Sequence, residues 1–210
     1  MDTPIVPRRR GRPPKELAGH SETRDTLLRA GVAALTEKGF SATGIDEILQ
    51  SVSVPKGSFY HYFGSKESFG AELIDLYAAY FGNKLDRILT DPTRTPLDRL
   101  RDFVADAEAG MRRYRFRRGC LVGNLGQEMN ALPQTYRKKL RGVFDDWQAR
   151  TERCLLEARE SGQIPAAKDC KALAEFFWIG WEGAVLRAKL DEGPGPLHVF
   201  ADGFFAMLNS

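Results

Sequence analysis

Cysteine is scarce in this chain. There are three, Cys120, Cys154 and Cys170, an odd set without metal-ligand spacing, which argues against a disulfide framework and a thiolate zinc site. Long apolar runs are missing too. Nothing approaches the roughly 18–20 consecutive apolar residues that span a bilayer, and no signal-peptide pattern opens the sequence. Histidine is equally sparse. His20 sits in a basic tail, His61 in an aromatic stretch and His198 near the end, so none is placed to serve a nucleophile. No phosphate-cradling glycine loop, metal motif or strand alternation appears. These absences leave a soluble, cytoplasmic, all-α protein, expected to carry no cofactor and no metal and not to be an enzyme.

Net charge is also small, +3 at pH 7 over 210 residues, with a pI near 8.8. Its distribution says more. Residues 1–66 carry ten Lys+Arg against seven Asp+Glu, and the remainder balances at twenty-one each. The whole excess therefore lies in the first third, where a polyanion would bind.

Residues 44–63, Gly44 to Phe63, read as two short helices joined by a turn. Ile45, Ile48 and Leu49 share one face of the first. Val52 and Val54 mark the turn, and Pro55 presets the φ of a first helical position. In the second helix, Lys56 to Phe63, the four-residue spacing of Phe59 and Phe63 puts both on a buried face. Lys56, Gly57, Ser58, Tyr60, His61 and Tyr62 then point outward. Lysine, serine and tyrosine donate to phosphate oxygens, a histidine reaches base edges, and Gly57 lets the backbone come close to DNA. The bland alternative is a small aromatic core helix.

The run Pro55-Lys56-Gly57-Ser58-Phe59-Tyr60-His61-Tyr62-Phe63, followed by Ser65-Lys66-Glu67, resembles the DNA-reading segment of the TetR family of transcriptional regulators. Phe40, Thr43 and Ile48 match upstream, as does a preceding helix from Thr23 to Lys38 with Leu27, Leu28, Val32 and Leu35 on one side. The resemblance implies a helix-turn-helix head over residues 21–66 and a helical ligand-binding and dimerisation domain over 67–210. It adds Thr43 and Lys66 to the expected DNA contacts. Gly44 stands where the family usually has a hydroxyl residue capping the second helix.

Ahead of the head, residues 1–20 are rich in proline and arginine and are expected to be a disordered arm. Arg10-Gly11-Arg12-Pro13 resembles an AT-hook, so Arg10 and Arg12 are expected in a narrow minor groove. A solvated tail drawn only to phosphate is the alternative. Beyond the head, Ser65 is an N-cap for a connecting helix reaching about Thr90, where Asp91-Pro92 ends it. Its apolar face is Phe69, Leu73, Leu76, Tyr77, Tyr80 and Phe81. Further helices are expected over 96–114, 133–162, 169–190 and 196–208, punctuated by Gly162 and by Gly193-Pro194-Gly195-Pro196.

The segment Arg117 to Glu128 ends a cluster of five arginines (Arg112, Arg113, Arg115, Arg117 and Arg118) and carries three glycines, Gly119, Gly123 and Gly126. It reads as a loop entering the core and starting a helix near Asn124. Cys120 lies beside cationic residues and near a helix N-terminus, both of which lower a thiol pKa; a buried structural cysteine is the common outcome. Gly119-Cys120-Leu121, Trp178 to Ala184 and Ala188-Lys189 resemble a TetR subgroup answering reactive carbonyl compounds, and more closely its acrylate-responsive, AcuR-like members. The resemblance implies a sensor cysteine at Cys120 with Lys189 beside it. Trp178, Glu182, Val185 and Lys189 recur at one-face spacing, and Trp181 adjoins them. An aromatic wall with one acid and one base suits a small polar effector. Alternatively, the tryptophans are core or dimer contacts and Glu182 merely pairs with Arg187 or Lys189.

Three functions compete. A homodimeric repressor would place two reading helices on double-stranded operator DNA and release it when an acrylate-like acid or an electrophile binds. A regulator modified covalently at Cys120 is its close variant. An enzyme would turn over substrate repeatedly, and an architectural DNA binder would show little sequence preference and ignore small molecules.

Overall fold

The computed structural model describes residues 15–208, with side chains described from Glu22 onward. Arg10 and Arg12 lie outside the described residues. Nine helices and no strand occur among the described residues: α1 (Lys15–Lys38), α2 (Ile45–Val52), α3 (Lys56–Phe63), α4 (Lys66–Leu89), α5 (Pro96–Arg113), α6 (Leu121–Gln127), α7 (Gln134–Glu160), α8 (Cys170–Leu190) and α9 (Gly195–Leu208). The all-α expectation holds. Residues 15–20, expected within a disordered arm, are helical backbone at the start of α1, and residues 1–14 of that expected arm lie outside the described residues.

Local chemistry explains the boundaries. Ser65 Oγ accepts from Ser68 N at 3.0 Å, Thr95 caps α5 with Pro96 at its first position, and Asp169 Oδ1 accepts from Lys171 N and Ala172 N at 3.0 and 3.1 Å. Gly162, at φ +74°, supplies the left-handed turn that lets the chain leave α7. The turn of the helix-turn-helix uses Ser53 at φ 54°, a strained position for a residue with a Cβ.

The head, α1 to α3, closes on an aromatic knot. Phe59 and Phe63 of α3 are fully and nearly fully buried, and both meet Phe69 of α4 edge-on, at ring separations of 5.1 and 4.7 Å. Each such ring removes well over 100 Å² of apolar surface from water. The outward face of α3 is thereby fixed by what its inward face fills. The body stacks α4, α5, α7, α8 and α9 around a second aromatic core of Phe81, Phe103, Trp147, Phe177, Trp178 and Phe204.

Hydrogen bonds between residues far apart in sequence tie the head to the body and fix the start of α4 against α7. The Glu128 carboxylate accepts from Phe40 N at 3.0 Å and Ser41 N at 2.7 Å. Tyr136 donates its hydroxyl to Glu67 O at 2.5 Å. Lys66 donates to Phe40 O at 2.8 Å and lies over the Phe40 ring.

Candidate functional site

The expected DNA-reading residues divide by exposure. Lys56, Gly57, Tyr60 and His61 are exposed on α3, and Ser58 and Tyr62 are half-buried. Asp46 hydrogen-bonds Lys56 and raises its ammonium pKa, with oxygen to nitrogen at 2.9 Å, so a phosphate would compete with that carboxylate. A Cβ at Gly57 would meet nothing within 4 Å, so nothing inside the protein itself demands glycine there. Thr43 is different. It is 1% exposed and its hydroxyl donates to Gly39 O at 2.6 Å, which takes it off the DNA face. Lys66 is committed inward to Phe40, as described above, and is half-buried. Gly44 is the N-cap of α2 without a side-chain cap.

A cavity of about 590 Å³ opens where the body meets α1. Arg29, Val32, Ala33 and Thr36 of α1 form one wall. Leu76, Tyr77, Tyr80, Phe81 and Lys84 of α4 form another. Ala107, Gly110, Met111 and Tyr114 line the α5 side, and Arg118, Gly119 and Cys120 close it with Trp181, Glu182 and Val185 of α8. Leu76, Tyr80 and Tyr114, at 41, 63 and 43% exposure, are large apolar or aromatic side chains of this lining. The volume falls within the ordinary range of small-molecule sites, and the lining is mostly apolar with a few polar groups.

Of the residues expected at an effector site, the fold brings Cys120, Trp181, Glu182 and Val185 to the cavity. Trp178 does not line it. Its ring is 1% exposed, packs against Trp147 at 4.8 Å and donates Nε1–H to Thr151 at 3.0 Å. Lys189 does not line it either. The ammonium faces the C-terminal carbonyls of α1, at 3.5 Å from Thr36 O and 3.2 Å from Glu37 O, where the helix dipole favours a cation. One-face spacing on α8 was sound, but helix rotation aims the two ends of that stripe at different neighbours.

The loop glycines have a packing reason. A Cβ on Gly123 would run into the Glu182 carboxylate, and one on Gly119 would sit 2.8 Å from Lys189 Cδ. The missing side chains leave room for Glu182 and Lys189, which reach from α8 toward α6 and the loop before it. Cys120 is the N-cap of α6, which starts at Leu121 rather than near Asn124, and its sulfur accepts from Gly123 N at 3.4 Å. That helix end does not activate the thiol. Burial, followed by the nearby Glu182 charge, pushes its pKa well above the usual range, and no cation offsets them. Lys189 therefore does not poise Cys120 as a thiolate. Burial also lifts the Glu182 carboxyl to about 7, with only a hydrogen bond from the Cys120 thiol opposing. Glu182 pairs with neither Arg187, which faces Asp191 at 3.6 Å, nor Lys189.

Sequence reasoning missed the residues that join this cavity to the head. Gly119 N donates to Thr36 O at 2.9 Å, and Asn124 Nδ2 donates to Leu35 O and Thr36 O at 2.9 and 3.0 Å. Glu37 takes Arg117 at 2.7 Å and Arg118 at 3.7 Å, and these guanidinium groups hold its carboxyl below the usual range. With Lys189, these bonds grip the last turn of α1. The signal available in sequence was only the glycine and arginine density of 112–126.

The family of bacterial regulatory proteins of the tetR type matches residues 27–73, and the tetracyclin repressor-like C-terminal domain matches residues 96–204. This chain belongs to the TetR family. That family is one of DNA-binding transcriptional regulators, and its helix-turn-helix coincides with α2 and α3. The transcriptional regulator AcuR of Cereibacter sphaeroides is 54% identical over 96% of this chain and 92% of its own length. The repressor DhaR of Mycobacterium sp. is 30% identical over 88% and 91%. A crystal structure of regulatory protein TetR from Rhodobacter sphaeroides superposes with a TM-score of 0.85 at 55% identity, covering 87% of this TetR chain and 96% of that one. Reduced NemR of E. coli gives 0.79 at 26% identity over 90% and 98%. No described helix is long and apolar enough to cross a membrane.

Proposed function

We propose that the protein is a homodimeric transcriptional repressor that leaves its operator when a small unsaturated carboxylate, such as acrylate, or a reactive carbonyl compound enters the 590 Å³ cavity. The observation that carries the reading is the double use of α1. Its residues 29–36 wall the cavity, and its last turn, gripped by Gly119, Asn124 and Lys189, leads directly into α2 and α3. A ligand that wedges between α1 and α8 therefore acts on the element that orients the reading helix. Only a ligand that binds one head orientation better than the other shifts that population.

Lys56, Gly57, Ser58, Tyr60, His61 and Tyr62 form the DNA face, with Arg10 and Arg12 as a minor-groove arm ahead of it. Dimerisation uses α8 and α9, whose outer faces carry Phe176, Ile179, Leu190 and Val199 at 49, 72, 74 and 76% exposure. Several large apolar side chains left exposed on two helices packed together suit a protein interface. The repressor names of the DhaR and NemR relatives support the direction of control.

The test is fluorescence anisotropy on DNA from upstream of the protein's own gene, titrated with acrylate at one near-physiological salt concentration. Tight binding that acrylate abolishes is expected. Tight binding that acrylate and small aldehydes leave untouched overturns the effector assignment, and absence of sequence-specific binding overturns the reading as a whole.

A further inference from the structure

Glu182 is the acidic side chain of the cavity lining, and the reading above does not use it. It projects from α8 against the first turn of α6, where only a glycine at 123 leaves it room. No ion pair to it occurs among the described residues. We propose that Glu182 determines which effectors are accepted, by taking up a proton as a carboxylate enters, so that the two carboxyl groups share that proton and the anion is bound as the equivalent of the neutral acid. This deepens, and rests on, the effector reading given above.

Beside Glu182 itself, the surroundings leave the proton as the way to accommodate a second negative charge. From α4, Tyr77 is neutral, because burial raises its phenol far above neutrality, and Lys84 is paired with Asp106. From α1, Arg29 lines the cavity and donates to the neutral Thr26 hydroxyl at 3.3 Å, but its charge does not act on the Glu182 carboxyl. The loop supplies Cys120, whose thiol is raised as described, and Arg118, which leans over the Tyr114 ring at 4.1 Å and toward Glu37. Tyr80 and Tyr114 stand at the mouth. Lys189, lowered by its own burial, faces α1 rather than the cavity. None of these cations acts on the Glu182 carboxyl. Two carboxylates brought together in such a site cannot both stay ionised, and one retains a proton.

The measurement is calorimetric titration of the full chain with sodium acrylate from pH 6 to pH 9, in buffer pairs of different ionisation enthalpy. With Glu182 titrating at about 7, half of the protein is competent at pH 7 and about a hundredth at pH 9, so affinity should weaken about 50-fold. The buffer pairs should report uptake of close to one proton per subunit at pH 8. Glu182→Gln, checked for folding by circular dichroism, should bind with a flat profile, and Lys189→Gln should keep the slope. Binding by the wild type with no pH dependence and no proton uptake overturns the proposal and leaves the effector reading standing; this outcome needs no variant. Acrylate affinity that rises with pH also overturns it. No acrylate binding at any pH overturns the proposal together with the carboxylate half of the effector reading, and leaves the reactive-carbonyl half to the aldehyde titration on operator DNA.

Discussion

Replacing Glu182 by glutamine should stabilise the protein in a pH-dependent way, before any effector is added. Burial lifts this carboxyl from 4.5 to about 7. Between those values the native state binds more protons than the unfolded chain, so wild-type stability falls as pH rises across that window and levels off above it. The span, at about 1.4 kcal/mol per pH unit, comes to about 3 kcal/mol, an upper bound because part of the carboxyl surface meets water in the cavity. Glutamine keeps the shape and carries no charge to bury. For a domain of this size about 1 kcal/mol moves Tm by about 2–4 °C. The variant should therefore melt up to about 6–12 °C above wild type at pH 8, and within about 3 °C at pH 5. Thermal unfolding followed by far-UV circular dichroism suffices, at one protein concentration because dimerisation contributes to apparent stability. An equal gap at both pH values would refute the reasoning, since packing rather than ionisation would then explain it.

Gly57→Ala should raise Tm by about 2–4 °C, since alanine favours a helix by about 1 kcal/mol and meets no neighbour, while weakening operator binding in the anisotropy assay; unchanged affinity would mean that the α3 backbone stays clear of DNA. Tyr60→Ala should leave Tm within about 2 °C and cost about 1–3 kcal/mol of operator binding. Glu128→Ala strips the partner of two backbone donors. It should lower stability by about 2 kcal/mol, with Glu128→Gln recovering part, and denaturant melts would expose an error if both variants matched wild type. Iodoacetamide at pH 7.5 should label native protein at least tenfold more slowly than free cysteine, because burial raises all three thiols, Cys154 to about 12. Rapid single labelling at Cys120, read by mass spectrometry, would revive covalent sensing.

Much of this fold was legible because its signals are local. Proline at 96, glycine at 162 and the Gly-Pro pairs at 193–196 punctuate the helices, and the helix-turn-helix is written in contiguous residues. Exposure on α3 follows from the four-residue spacing of Phe59 and Phe63. The site was legible only in part, since a helical repeat gives a face but not what that face meets. Trp178 and Lys189 share a stripe with Glu182, yet one ends in the aromatic core and the other on a helix end. Thr43 lies next to the DNA-facing segment but turns its hydroxyl to a carbonyl four residues back. Asn124, Glu128 and Tyr136 act across sequence separations of 69 to 89 residues, and nothing in their immediate neighbours announces those partners.

Because residues 29–36 of α1 are at once cavity wall and head scaffold, reader and sensor have no clean seam between them. A chimaera that grafts a foreign head at residue 66 would import a new cavity wall and so a new effector preference. Retargeting this protein as a biosensor is therefore better attempted by recoding the outer face of α3 while leaving α1 untouched. Conversely, selection for new effectors at Arg29, Val32 or Thr36 should be screened for operator drift in the same experiment.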